Sequence, residues 1–335
     1  MNEKSATNKK ERIFSGAQPT GNLHIGNYLG ALRQWVALQS EYDSIFCVVD
    51  LHAITTYQDP VVLRQKTREV VGLLVAAGID PTFSTIFVQS HIPAHAELAW
   101  ILECETPMGW LRRMTQFKEK AEDEGASVSA GLFNYPDLMA ADILLYDTDA
   151  VPVGDDQVQH LELTRDVAQR FNSLYGETFV IPRAIVAETG ARVMGLDDAT
   201  KKMSKSTDVP GHAIYLLDPE PEIRAKISRA TTDSSREIRF EETRPAIANL
   251  LSIYEAFTGT GRPEIEAHFA GRGYAVLKKE LAEVVITALR PLQERYREVT
   301  AQPGWVDKIL DEGEARVRPI AERTLARVKD RMGLG

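Results

Sequence analysis

A chain of 335 residues is longer than the usual single domain, so two structural units are the natural expectation. With 44% hydrophobic and 26% charged residues, it has ample apolar material for a full core. The net charge of −9 excludes a protein that coats nucleic acid indiscriminately, because such binding rests on phosphate neutralisation, but it leaves room for a local basic patch.

Residues 1–11 are polar and lysine-rich, without the apolar stretch of a secretory signal. No run of about 18 apolar residues is present to span a membrane, so a cytoplasmic location is expected by elimination. In chain order, short apolar runs at 12–15, 44–49 and 85–88 have the character of buried strands, the second leading into Asp50-Leu51-His52 at its end. Helical spacing of apolar residues at 29–36 and 63–77 places helices between them. Strands separated by helices imply a Rossmann-like α/β fold, a parallel sheet covered by helices. Such sheets bind ligands at the carboxyl ends of their strands, near the switch in strand order.

The stretch 135–146 is expected to be a largely apolar helix that starts after Pro136, and 151–160 a strand turning into a helix. Beyond about residue 208 the chain is charged, amphipathic and rich in helix formers, over 219–229, 243–257, 273–297 and 303–332. The expected division is a Rossmann-like unit over 11–208 and a mostly helical second domain over 209–335. The two cysteines, Cys47 and Cys104, lie far apart in apolar neighbourhoods, where reduced, buried thiols are expected.

Three regions carry candidate chemistry. The loop from Ser15 to Tyr28 has glycines at 16, 21 and 26 and opens a helix whose N-terminal amides favour phosphate. It fits neither a G-x-G-x-x-G loop nor a Walker loop, since Asn22 and Leu23 stand where the latter needs Lys and Ser or Thr. A nucleotide site and a plain strand-to-helix turn both remain open there. Within 135–146, Asp142 sits among Met139, Ile143 and Leu145, and a carboxylate in apolar company needs a donor or a cation. A structural cap or a solvent-facing acid is the plainer reading. Further on, Lys202 and Lys205 flank Met203 and Ser204, a cluster of ammonium groups and a hydroxyl whose plain reading is a solvated basic loop.

His24-Ile25-Gly26-Asn27 resembles the class I aminoacyl-tRNA synthetase signature H-I-G-H, with Asn27 in place of the last His. Lys202-Met203-Ser204-Lys205-Ser206 is similar in full to the K-M-S-K-S signature of the same class, in the expected order. Tyr135 to Tyr146 resembles the pocket helix of the bacterial tryptophanyl-tRNA synthetase family, with Asp142 at the acid that receives the indole N–H. Indole offers one donor and no acceptor, so an acid is its fitting partner. The likeness runs from Phe14 to about Leu334; Asp137 departs from it, standing where the family more often has an apolar residue or proline.

The resemblance implies ATP-dependent formation of tryptophanyl-adenylate, then transfer of tryptophan to tRNA(Trp). Lys202, Lys205 and Ser204, with His24 and Asn27, would act on the reacting phosphates. Gln18, Pro19, Thr20, Gly26 and Val193 would line the ATP site together with Met203 and Ser206, and Gly154, Asp155 and Asp156 would form its ribose-binding turn. Phe14, Met139 and Val153 would wall the indole pocket, with Tyr135, Gln157, His52 and Gln116 around the substrate, and Lys120 near it. Magnesium would arrive with ATP, since no dedicated metal cage is visible in the sequence. The implied partners are tRNA(Trp), L-tryptophan, ATP and a second copy of the chain in a symmetric homodimer.

Tyrosyl-tRNA synthetase is the nearest rival, because it also uses an acid to accept its substrate's polar hydrogen. A synthetase-like regulatory binder without catalysis is the alternative from another class, and the presence of both lysines weighs against it. The last helix carries Arg316, Arg318, Arg323, Arg327, Lys329 and Arg331, which read either as an RNA-facing stripe or as a solvated face.

Overall fold

The structure, a computed structural model, describes residues 10–115, 128–154, 157–186, 192–205, 207, 209–235 and 237–335. Its strands are β1 (Arg12–Ala17), β2 (Asp43–Val48), β3 (Thr85–Val88), β4 (Ala150–Val153) and β5 (Arg183–Val186). They form one sheet in the order β3-β2-β1-β4-β5, with every pairing parallel. The strand order reverses between β1 and β4, so the switch point lies beside the ends of these two strands.

Alternation along the strands sorts side chains to two faces. Phe46, Val48, Ile86 and Val88 enter one core, while Ile45, Cys47 and Phe87 enter the other. β5 lies at the sheet edge and is largely exposed; its Ala184-Ile185-Val186 run is apolar but short, and no strand is expected there from the sequence.

Helices α1 (Ile25–Asn27) and α2 (Arg33–Leu38), joined by a π-helical turn at Tyr28–Leu32, follow β1. The short helix α3 (Asp50–Ala53) follows β2, so Asp50, Leu51 and His52 form a helical turn beyond the strand rather than its end. In α4 (Pro60–Ala77), the Asp59 side chain caps the amides of Val61 and Val62, and Gly78 ends the helix with φ of 118°. α5 (Ala94–Glu105) and α6 (Met108–Leu111) follow β3. Cys104 is exposed on α5, contrary to the buried position expected, while Cys47 is buried in the sheet. Apolar neighbours in sequence point to different sides of a helix, which is why the local neighbourhood misled.

The next helix, α7 (Ala130–Leu144), starts seven residues earlier than expected and carries Pro136 in its interior. Ser129 accepts from the amide of Leu132 and sets this start, so the proline interrupts one bond of a helix already begun. α8 (Val158–Tyr175) follows β4. Beyond residue 219 the regular elements among the described residues are helices: α9 (Glu220–Arg229), α10 (Pro245–Thr258), α11 (Arg262–Phe269), α12 (Tyr274–Thr300) and α13 (Trp305–Met332).

The two regions are not packed as separate bodies. α12 packs on α9, α10 and α4, and α13 returns along β3, the other sheet edge. Val306, Ile309 and Leu310 of α13 enter the first core, and Val317, Ala321, Leu325 and Val328 enter the second. This helix therefore closes an edge that would otherwise expose unpaired backbone groups. Its basic residues tie it down: Arg316 donates to the Pro81 carbonyl at 3.0 Å, Arg318 to the His91 carbonyl at 2.8 Å, Arg327 to Asp147 at 2.5 Å and Lys329 to Glu97 at 2.8 Å. Four of the six residues considered for RNA are thus engaged within the chain.

Gly313 is the point of closest approach of α13 to the sheet. A Cβ there would overlap the Ile86 carbonyl oxygen and lie 2.8 Å from its carbon. Backbone cannot yield as a side chain can, so Gly313→Ala should lever the helix off β3. The expected loss is at least about 1–3 kcal/mol of unfolding free energy, measured by urea denaturation; an unchanged midpoint would show that the edge contact is dispensable.

Candidate functional site

The carboxyl ends of β1, β2, β3 and β4 supply the first ring of residues. Beyond β1, the Gln18 amide donates to the His52 carbonyl at 3.1 Å, linking the first loop to the turn after β2. Beyond β3, Gln89 is buried and aimed inward. Gly154 follows β4, where its carbonyl accepts from the Gln157 amide at 2.9 Å.

Asp142, on α7, is 2% exposed and lies under this rim. Its Oδ1 accepts from Gln89 at 2.6 Å and pairs with His95 Nδ1 at 2.6 Å, while Oδ2 pairs with His52 Nε2 at 2.8 Å. His95 Nε2 in turn lies 2.7 Å from the Tyr146 hydroxyl. Burial pushes the Asp142 pKa up, but the charge and hydrogen bonds of His52 and His95 outweigh it, and the net direction is below the usual carboxylate range. A carboxylate has about four lone-pair sites, so Oδ2 keeps acceptor capacity toward the His52 side.

Around the acid, Phe14 stacks on Tyr146 with ring centroids 5.7 Å apart. Phe14 and Val153 are buried in one apolar cluster, with Met139 packed against it. Tyr135 meets His52 edge-on at 6.1 Å, and its hydroxyl lies 2.6 Å from His160 Nε2. The structure thus gathers Phe14, His52, Tyr135, Met139, Asp142 and Val153 at one place. Gln89, His95 and Tyr146 belong to the same network and were missed. His95 and Gln89 come from segments that carry no motif; only the need of a buried acid for several donors could have prompted a search for them.

The second ring forms where the two signature segments meet. His24 and Tyr215 form an antiparallel bridge, with Ile25 N–H bonded to the Ile214 carbonyl at 3.0 Å and Leu216 N–H to the Leu23 carbonyl at 2.8 Å. The lysine segment folds back through Met194 and Lys202, also bridged, and the Met203 amide donates to the Val193 carbonyl at 3.0 Å. Lys205 Nζ donates to the Gln18 carbonyl at 3.2 Å. Gly21, with φ of 59°, turns the first loop against Lys205, whose Cβ would be 3.0 Å from any Cβ placed there.

His24 and Asn27 cap the first helical turn reciprocally. Gly26 N–H donates to His24 Nδ1 at 3.1 Å, and His24 N–H donates to Asn27 Oδ1 at 3.1 Å. Asn27 therefore holds the turn with its carbonyl oxygen, a task that needs no ionisable group. Burial, then the charges of Lys205, Lys202 and His212, hold the His24 pKa down to about 3. With Nδ1 accepting, the neutral ring presents Nε2–H. Burial, with Lys66 nearby, lowers Lys205 to about 8. Anion-binding groups are concentrated here: two lysines, the loop amides and the start of a helix.

Some residues sit differently from a simple contact reading. Val193 and Met203 bury their side chains in the first core, so only their backbone is directed elsewhere. Pro19 is buried, and Thr20, Gly26 and Ser204 are half-buried. Gln157 forms the N-terminal cap position of α8. Gln116, Lys120, Asp155, Asp156 and Ser206 lie outside the described residues. Among the described residues, no group of three His, Cys, Asp or Glu side chains is placed to hold a metal.

Comparison with known proteins fits this arrangement. The family described as tRNA synthetases class I (W and Y) matches residues 6–290. A tryptophan--tRNA ligase of Wolinella succinogenes is 55% identical over 325 residues, covering 97% of this chain and 99% of the relative. One from Caldanaerobacter subterraneus subsp. tengcongensis is 57% identical, covering 97% and 98%. Among solved structures, a tryptophanyl-tRNA synthetase from Mycoplasma pneumoniae superposes with TM-score 0.90 at 36% identity, covering 97% of this chain and 98% of the other. A Campylobacter jejuni tryptophanyl-tRNA synthetase complexed with ADP and tryptophan gives 0.83 at 38% identity, covering 96% and 100%.

Asp137, one turn before Asp142, is fully buried, and only its Oδ1 is hydrogen-bonded, to Thr106 at 2.7 Å. Burial pushes its pKa up to about 6, against the Thr106 bond and with a contribution from Glu103. The ionised Asp137 accepts from Thr106 Oγ1; once protonated it donates to that oxygen, which then gives its own hydrogen to the Leu102 carbonyl at 2.9 Å. The folded pKa lies above the unfolded one, so this acid's contribution is fully present below about pH 4 and lost as pH rises through about 6. Asp137→Asn, whose amide can make the same donation, should be more stable than the native chain at pH 8 by on the order of 2–3 kcal/mol. That advantage should shrink as pH falls from 6 to 4 in denaturation curves; a difference constant with pH would refute the buried charge.

Proposed function

Because the chain belongs to the class I tRNA synthetases of the tryptophan and tyrosine group, we infer that it activates tryptophan with ATP and ligates it to tRNA. The tryptophan carboxylate attacks the α-phosphorus of ATP, the bond to the bridging oxygen breaks, and pyrophosphate leaves with the electron pair. A hydroxyl of the tRNA then attacks the carbonyl carbon of the adenylate, and AMP departs. The observation that carries this reading is that the loop after β1 packs on the lysine segment, with Lys205 bonded to Gln18 and His24 in the field of Lys202 and Lys205, beside the strand ends whose following residues hold Asp142.

No side-chain nucleophile is required, so the chain's work is positioning and electrostatic. Lys202 and Lys205 stabilise charge as it builds on the pyrophosphate, with Ser204 as a further donor. The neutral His24 donates through Nε2 to phosphate without competing for a proton. Asp142 accepts the indole N–H through Oδ2, while Gln89 and His95 hold its other oxygen. Phe14, Met139 and Val153 exclude water from the ring, and Gly154 with Asp155 and Asp156 receives the ribose. Gln18, Pro19, Thr20, Gly26, Val193, Met203 and Ser206 shape the nucleotide side, and Tyr135, Gln157, His52 and Gln116 the amino-acid side. Magnesium travels with ATP and offsets phosphate charge.

The same reading assigns residues 11–208 to catalysis and 209–335 to binding the anticodon of tRNA(Trp), in a cytoplasmic homodimer. No described helix is long and apolar enough to cross a membrane. With Arg316, Arg318, Arg327 and Lys329 tied to the α/β region, α13 offers RNA mainly Arg323 and Arg331. The tyrosine alternative has less support, since the relatives at 55% and 57% identity are tryptophan--tRNA ligases.

Exchange of labelled pyrophosphate into ATP, run with each of the twenty amino acids, should be stimulated by tryptophan alone. Stimulation by tyrosine instead would reject the specificity, and silence with all twenty would favour a non-catalytic binder. Lys205→Ala should slow tryptophan-dependent exchange at least roughly a hundredfold, the scale of removing one preorganised transition-state donor. Equilibrium dialysis should meanwhile find tryptophan affinity nearly intact, and an unchanged exchange rate would remove Lys205 from the mechanism.

A further inference from the structure

His212 is 1% exposed and lies inside the fold of the lysine loop, outside every motif considered so far. Its backbone closes the loop's base: the Leu196 amide donates to the His212 carbonyl at 3.0 Å. Its ring lies flat beneath the loop's incoming arm, so close that a Cβ on Gly195 would sit 2.6 Å from Nδ1. On one side, Nδ1 is 2.6 Å from Asp197 Oδ1. On the other, Nε2 lies 3.3 Å from the Ser204 amide nitrogen, which donates to it, and 3.4 Å from the Lys202 carbonyl.

The two shorter contacts, to Asp197 and to the Ser204 amide, select one tautomer, in which the Lys202 carbonyl is a neighbour of Nε2 and not its partner. A carboxylate only accepts, so the hydrogen sits on Nδ1, and the Nε2 lone pair is left to receive Ser204 N–H. The ring thereby ties the outgoing backbone of the lysine loop, between Lys202 and Lys205, to the incoming arm at Asp197. A buried histidine that merely filled core space would need no such pair of directed partners. Gly195 is the matching feature, since any side chain there would displace the ring.

We propose that His212, held in one tautomer by Asp197, is a positioning residue that sets the backbone at Ser204 and so aims Lys202 and Lys205 at the leaving pyrophosphate. The proposal rests on the synthetase reading above and concerns its first step. Loss of His212 should impair ATP use and adenylate formation while leaving tryptophan binding alone, because the ring touches the lysine loop and not the Asp142 network.

The test compares His212→Ala, His212→Gln, Asp197→Ala and the double alanine variant in tryptophan-dependent pyrophosphate exchange, with the tryptophan Kd measured by equilibrium dialysis. His212→Ala should lower kcat/KM for ATP roughly tenfold or more, the scale of one directed hydrogen bond in the transition state, with the tryptophan Kd within about twofold. His212→Gln should recover most of that loss, since its amide oxygen can stand where Nε2 accepts. Asp197→Ala should give a smaller fall, and the double variant should be no worse than His212→Ala, because both act through one contact.

An exchange rate unchanged in His212→Ala, a glutamine variant as impaired as alanine, or multiplicative losses in the double variant would each overturn the proposal. If His212→Ala fails to bind tryptophan and so to fold, Asp197→Ala decides: its half-exposed side chain leaves the core intact, and unaltered ATP kinetics there would overturn the idea. A native chain that shows no tryptophan-dependent exchange would instead sink the functional reading, and this proposal with it.

Discussion

Two backbone bonds, from Ile25 to the Ile214 carbonyl and from Leu216 to the Leu23 carbonyl, join parts of the chain almost two hundred residues apart. They hold the loop after β1 against the segment that follows the lysine loop. Lys205 can reach the Gln18 carbonyl only because Gly21 turns the first loop toward it. Gln18 in turn reaches the His52 carbonyl, and His52 the Asp142 carboxylate. A continuous path of hydrogen bonds therefore runs from the lysine loop to the buried acid. The sheet makes this possible by ending β1, β2, β3 and β4 on one edge, beside the reversal in strand order.

Electrostatics divides the site into two unlike halves. At Asp142 a negative charge is buried and satisfied by three donors, so the acid stays ionised and acceptor-only. Such a group recognises a donor and penalises an apolar isostere that would leave it partly unpaired. At the lysine loop the surplus is positive. Lys205 and His24 both have lowered pKa values, the first through burial and Lys66, the second through burial and the lysines themselves. One half suits an uncharged ring with a single N–H, the other a polyanion.

Much of this was legible in the residues, though unevenly. The strands at 12–15, 44–49 and 85–88 were visible because parallel strands buried on both faces are apolar without a break. β5 was not, since its apolar run is only Ala184-Ile185-Val186 and lies on an exposed edge. The lysine loop and the start of the first helix carry their chemistry in contiguous residues. The network around Asp142 does not: Gln89, His95 and Tyr146 reach it from separate elements, and local sequence holds no trace of that convergence. α13 is legible as a helix from its period, but its charges leave an RNA-facing stripe and a solvated face both open, whereas Arg316, Arg318, Arg327 and Lys329 fasten it to the sheet region. Composition records charge without recording its partner.

Asn27 shows how a departure from a signature can be read physically. Viewed as a replacement for histidine, it removes a group able to carry charge. In the folded chain its carbonyl oxygen accepts from the His24 amide, while His24 Nδ1 accepts from Gly26. That reciprocal cap fixes which nitrogen of His24 bears the hydrogen, since a ring nitrogen that accepts an N–H cannot itself be protonated. The pKa of about 3 keeps this arrangement neutral across the physiological range. A second imidazole, at position 27, would sit in the field of Lys202 and Lys205 and would have to be neutral as well. Asparagine provides the needed acceptor with no protonation equilibrium, so the substitution preserves the one function the turn requires of that position.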